Sequence, residues 1–269
     1  MNLLNILSEI GKADADTPER YDFSRRKLLK TTAAAAVITP AFVAATINKA
    51  FGADKTVTDI LNFALTLEYL EAEFYKMALS MPNLIPAGDR DLFTYIAKHE
   101  KEHVEFLKMT LGPDAIGMPQ FDFTAGGKYP TAFSSYDTFL VLSQSFEDLG
   151  VRAYKGQAPF LKPYKEILLA ALKIHSVEAR HAGEVRLIRG LRVWASEQET
   201  GGAPAAVYMG ENNFLTGIPV DVIQLASSKY IQQNGGALHE KLPRESFDEP
   251  LTKEQVLAIA MPFIKAVNP

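Results

Sequence analysis

The sequence predicts an all-α protein: a four-helix bundle with one long crossover, plus a loop-rich C-terminal extension with short helices. Three observations predict it. Two Glu-x-x-His pairs, Glu100 with His103 and Glu178 with His181, lie inside apolar stripes of helical spacing; the helical segments are joined by two short connections and one long one; and the two halves of the helical region repeat.

Composition sets the frame. The chain has 269 residues, 47% hydrophobic and 22% charged, with a net charge of -4 and no cysteine. That suits one substantial core plus an appendage. The mixed charges form no basic cluster in the body of the chain, so nucleic acid is not an expected partner. The lack of cysteine excludes disulfides, zinc-cysteine sites and thiol catalysis.

Near the N-terminus, Ser24-Arg25-Arg26-Lys27-Leu28-Leu29-Lys30 precedes an apolar, alanine-rich run from Thr31 to Ala45. The run is short for a membrane-spanning helix and right for the core of a signal peptide. Val43-Ala44-Ala45 offers a small-residue cleavage site, with Ala53 as a second choice. The segment resembles a twin-arginine export signal, departing from the usual pattern at Leu28. Residues 1–53 are therefore expected to be signal peptide and linker, and the mature protein to be periplasmic or otherwise extracytoplasmic.

Residues 54–195 are expected to form the bundle. The first helix runs from about Thr58 to Ser80 on a stripe through Leu61, Leu65, Glu68, Ala72, Tyr75 and Leu79, and Pro82 and Pro86 follow it. Asp89 is placed to cap a second helix that ends at Leu111 before Gly112-Pro113. It carries Phe93, Ile96, Glu100, His103 and Leu107 on one face. A third helix begins near Ser134 or Ser135, turns Tyr136, Leu140, Ser143, Glu147, Val151 and Tyr154 inward, and closes at Pro159 and Pro163. The fourth runs from about Tyr164 to Trp194 with Ala171, Ile174, Glu178, His181, Val185 and Ile188 facing the core. Residues 196–269 form the extension, with apolar runs at Val220 to Ile231 and Val256 to Ile264 that would pack on the bundle or on a second subunit.

Connection length sets the topology. Each hairpin needs only about ten residues between its helices. Gly112 to Phe133 is 22 residues long, enough in extended form to span a helix of about 33 Å, so the third helix can run parallel to the second. The repeat agrees. Glu68 precedes Tyr75, and Glu147 precedes Tyr154, by seven residues; Glu68 and Glu147 precede the glutamates of their Glu-x-x-His pairs by 32 and 31.

A buried, unpaired carboxylate is disfavoured by several kcal/mol, so four of them on core faces need positive partners. The set Glu68, Glu100, His103, Glu147, Glu178 and His181 supplies four negative charges and two neutral imidazoles, which two divalent ions neutralise. Its oxygen-rich character with two histidines suits iron or manganese. Satisfied core ion pairs and an exposed acidic face are the competing readings. Glu73 points about 140° away from Glu68 and belongs to the outer face.

The order Glu, Glu-x-x-His, Glu, Glu-x-x-His on four helices resembles the ferritin-like superfamily of dimetal-carboxylate proteins. The stretch from Asn62 to Tyr75 is similar more narrowly to exported ferritin-like domain proteins that include the desiccation-related proteins. The resemblance implies Glu68 and Glu147 as terminal carboxylates, Glu100 and Glu178 as bridges, and His103 and His181 as one nitrogen ligand per metal. Glu71 crowds Glu68 as an alternative or supporting group. Tyr75 and Tyr154 either hydrogen-bond the ligands, shuttle an electron, or are plain core aromatics. His99, His175 and His239 are read as surface or supporting residues.

Function then divides three ways. The dimetal site turns over dioxygen or peroxide as a ferroxidase, peroxidase or catalase-like oxidoreductase; or it is chiefly structural in a metal-binding stress or desiccation protein; or the chain is a helical interaction module with a vestigial site. The expected partners are metal ions, a small oxidant, and a second copy or similar bundle.

Overall fold

A computed structural model describes residues 55–196, 200–211 and 248–265. The expected export signal, the Val220 to Ile231 run and His239 lie outside them. Among the described residues, helices α1 (Lys55–Ser80), α2 (Arg90–Leu111), α3 (Tyr136–Gln157) and α4 (Lys165–Ile188) form the bundle, with short α5 (Ala205–Tyr208) and α6 (Lys253–Ala260) beside it. No strand occurs among them; residues Phe121 and Ile264 form an isolated antiparallel bridge.

The crossover is present. At the C-terminal end of α2, the Asn62 amide donates to Asp114 O at 2.9 Å and accepts from Ile116 N at 3.0 Å, while the Tyr69 hydroxyl donates to Ile116 O at 3.2 Å. Farther along, Phe123 and Phe133 pack on Phe74, with ring centroids 5.2 and 5.5 Å away. The segment thus advances along α1 as its own numbering advances. It delivers Tyr136 to the start of α2, where its hydroxyl donates to Asp89 Oδ2 at 2.7 Å and Phe93 meets Phe139 edge to face at 4.8 Å. Helices α2 and α3 start at the same end and run parallel.

Two sequence expectations are corrected. Ser135 caps α3 as expected, accepting from Thr138 N, but Asp89 makes no side-chain cap on α2 because its carboxylate is taken by Tyr136. Helix α4 stops at Ile188, not Trp194. Gly190 sits at φ 67°, and Gly190 N to Leu187 O (3.0 Å) and Leu191 N to Arg186 O (2.9 Å) complete a Schellman ending that only a residue tolerant of the left-handed region forms cheaply.

Burial also departs from a one-stripe pattern. Helix α1 buries Leu67, Glu68, Tyr69, Leu70 and Glu71 in succession, and α3 is buried continuously from Leu142 to Tyr154. Their outer faces are covered: the crossover lies on one, and Leu251, Val256 and Ala260 pack with Phe63, Leu67, Leu149 and Ala153 on another. Helix α6 is started by a capping box between Thr252 and Gln255.

Buried charges tie the later segments to α3. Arg152 Nε donates to Glu249 O at 2.8 Å and pairs with Glu211 at 2.8 Å, while its other nitrogens donate to Val207 O and Met209 O. Beside it, Asp148 pairs with Arg186 and accepts from the Tyr208 hydroxyl at 2.6 Å. Gln144 in turn donates to that hydroxyl at 2.6 Å and accepts from Arg189.

Candidate metal centre

Each bundle helix brings one acidic position to a common point. Helix α1 supplies Glu68, α3 supplies Glu147, and the 3-residue spacing on α2 and α4 turns Glu100 with His103, and Glu178 with His181, onto single faces. The four carboxylates are fully buried. All six expected ligands come together in two overlapping groups: Glu68, Glu100, His103 and Glu178, and Glu100, Glu147, Glu178 and His181, each with one donor atom per residue within 4.8 Å of the others. Glu100 and Glu178 belong to both.

Both histidines present Nδ1. His103 Nδ1 lies 3.1 Å from Glu68, 3.1 Å from Glu178 and 3.3 Å from Glu100; His181 Nδ1 lies 2.7 Å from Glu100 and 3.2 Å from Glu147. Yet Glu100 Oε1, Glu147 Oε2, both Glu178 oxygens and His181 Nδ1 have no hydrogen-bond partner, since the short contacts lie off the donor–acceptor line. Buried polar atoms are rarely left so. Converging nitrogen and oxygen donors without partners could hold metal ions.

The tyrosines cross the bundle. Tyr75 of α1 donates to Glu147 Oε1 on α3, and Tyr154 of α3 donates to Glu68 Oε1 on α1. Each occupies Oε1 of its glutamate and leaves Oε2 to the cluster. Burial, then the adjacent carboxylate, holds both phenols well above the ordinary range, so they remain donors.

Without a cation, protons do its work. Burial pushes Glu100 up to about 7 and, with the neighbouring carboxylates, Glu178 well above the usual range. Burial opposes charge on the histidines but loses: Glu68 holds His103 far above its ordinary value, and Glu147 with Glu100 lifts His181 to about 11. Glu68 is depressed, since His103 outweighs its burial.

Glu71 is the residue whose place the sequence left open. It is buried, but outside both ligand groups. Burial, then Glu178 and Glu100, pushes its carboxyl well above the usual range. A signal for it existed. Three residues after Glu147, where the repeat would put a counterpart of Glu71, stands Gly150, and a Cβ there would lie 3.1 Å from Glu71 Oε1 and 3.3 Å from Glu178 Oε2. The glycine, costly by about 1 kcal/mol inside a helix, gives Glu71 its room.

The remaining acids and histidines separate. Glu73 is on the outer face paired with Lys76 at 2.8 Å. His175 contacts Val151 O at 3.0 Å and takes no part in the cluster. His99 is outside both groups but touches one member: its Nδ1 lies 3.0 Å from His181 Nε2.

The profile of a family described as ferritin-like domain matches residues 56–191, half of the chain. No curated protein matches it.

Proposed function

The chain belongs to the ferritin-like domain family, and on that premise we propose that it is an exported dimetal-carboxylate protein whose two iron or manganese ions react with dioxygen or peroxide. The observation that carries the metal reading is the convergence of buried carboxylate and imidazole donors, five of whose atoms have no partner, in two groups that share Glu100 and Glu178. Glu68 with His103 would hold one ion, Glu147 with His181 the other, and the shared glutamates would bridge them. The ion pair, when bound, would supply electrons to a small oxidant.

The chain's own residues do the rest. The tyrosine hydroxyls orient the terminal carboxylates through their outer oxygens. Packed aromatic side chains around Phe74, Phe93 and Phe139 exclude water on one side, while His103, 12% exposed, marks the nearest approach to solvent. Glu71, buried beside the cluster and pushed well above the usual carboxylate range by burial and then by Glu178, would be the acid placed to move a proton where an oxidant is reduced.

The test is oxidation of reduced, iron- or manganese-loaded protein by dioxygen or peroxide, followed by rapid mixing. Oxidation should outpace that of the free ions, vanish in Glu100→Ala and Glu178→Ala, and persist in Glu73→Ala. Two bound metals with no acceleration would leave the structural, desiccation-type role as the better reading. Export by the twin-arginine route rests on Ser24 to Ala45; replacing Arg25 and Arg26 by Lys should retain the protein in the cytoplasm, and unchanged export would point to another signal.

A further inference from the structure

The two halves of the bundle repeat, but their histidines are not held alike. His181 presents Nδ1 to the cluster and Nε2 to His99 Nδ1, 3.0 Å away. The ring planes are 6° from parallel with centroids 5.3 Å apart, too far for face-to-face stacking, so the rings meet edge to edge, as an in-plane N–H to nitrogen bond requires. His99 is on α2 and His181 on α4, so the contact also bridges two helices. His99 directly precedes Glu100; the residue that directly precedes Glu178 is Val177. Valine has no group to offer the far nitrogen of His103, and among the described residues the hydrogen bonds of His103 are made through Nδ1.

From this asymmetry, and resting on the metal-centre reading above, we infer that His99 is a positioning residue that makes the two metal positions unequal, the Glu147–His181 position binding more tightly than the Glu68–His103 position. With a metal at Nδ1, the only proton of neutral His181 is on Nε2, and His99 Nδ1 accepts it. That bond holds the ring's rotation before an ion arrives and keeps the proton on Nε2 when Nδ1 gives up its own to the metal. Among the described residues His103 has no such partner on its far nitrogen. Partners of this kind are worth about 10–100-fold in metal affinity.

Cobalt(II) titration of the full-length, metal-free protein, followed by calorimetry and visible absorption, tests it without reference to turnover. The wild type should bind in two steps, with Glu147→Gln removing the tighter and Glu68→Gln the weaker. His99→Val, which makes the position match its repeat, should weaken the tighter step by about 10–100-fold and leave the other alone. His99→Gln keeps an acceptor and should restore most of the loss. Equal steps in the wild type, equal weakening of both steps in His99→Val, or no rescue by glutamine would overturn the inference while sparing the metal centre. No cobalt bound to wild type would overturn both.

Discussion

Two charged interiors lie back to back on α3, and they differ in one respect. On one side of the helix, Glu147 joins Glu68, Glu100 and Glu178, and Glu100 Oε1, Glu147 Oε2 and both Glu178 oxygens find no hydrogen-bond donor. On the other, Asp148 and Arg152 join Arg186, Tyr208 and Glu211, and each charge meets an opposite charge or a carbonyl within the chain. Burial is complete in both, so burial alone does not mark a functional site. A closed network needs nothing from outside and serves to hold α5 and the 248–252 segment onto the bundle. An open one, with four convergent carboxylates and donor atoms left without partners, is built to take a cation from outside or protons in its place.

The contrast is broken most sharply by Glu178→Gln. In the metal-free protein burial and its acidic neighbours push Glu178 well above the usual range and so favour its neutral form, which the amide imitates. It would remove a bridge of the proposed metal pair, since Glu178 belongs to both donor groups. Two-metal binding should be lost, and with it the metal-linked gain in stability, about 4 kcal/mol at a thousandfold excess over Kd. Thermal unfolding with and without added manganese measures both. A metal-free variant several kcal/mol weaker than wild type would mean that the cluster is a structural network like its neighbour.

Arg152→Met sharpens the comparison from the closed side. It leaves Glu211 buried without its cation and three carbonyls without a donor. Removing one partner of a buried pair costs about 3–5 kcal/mol. Denaturant unfolding should show that loss while metal stoichiometry by elemental analysis stays at the wild-type value. A fall in stoichiometry would show that the two interiors are coupled through α3.

These interiors were unequally legible in the sequence. The Glu-x-x-His pairs stood out because α2 and α4 keep solvated outer faces, with Lys98–Glu102 and Lys101–Glu105 pairs on α2, so an acid in the apolar stripe is conspicuous. On α1 and α3 no face is reserved for water: the crossover and the C-terminal helix cover what a stripe would leave polar. There Glu71 could be placed only as an alternative or supporting group to Glu68, and Asp148 and Arg152 carried no signal, because their partners lie 38 to 97 residues away. The crossover was readable since length and rigid-helix geometry bound it. His99 was not, because its meaning depends on which nitrogen of His181 faces it. The end of α4 was missed although Gly190 was in view, since Leu191 and Val193 continued the apolar pattern past it.

The smallest effect expected is a pH slope from Asp148. In the folded protein burial raises its carboxyl from 3.8 to about 6, outweighing the pull of Arg186 and the Tyr208 hydroxyl. Folded protein therefore keeps a proton that the unfolded chain releases, and between about pH 4 and pH 6 stability falls as pH rises. At about 1.4 kcal/mol per pKa unit, the fall across the window is about 2–3 kcal/mol. Asp148→Asn removes this titration and keeps a side-chain acceptor for Tyr208. The cluster titrates in the same range, so the informative quantity is the difference in unfolding free energy between wild type and variant, in which its contribution cancels if the two interiors are independent. That difference should shift against the wild type from pH 4 to pH 6 and level off above it. A flat difference would mean that Arg186 fully offsets the burial of Asp148, making the closed network more favourable than its geometry implies. A difference that changes when manganese is added would mean that the backbone of α3 carries one interior's state to the other.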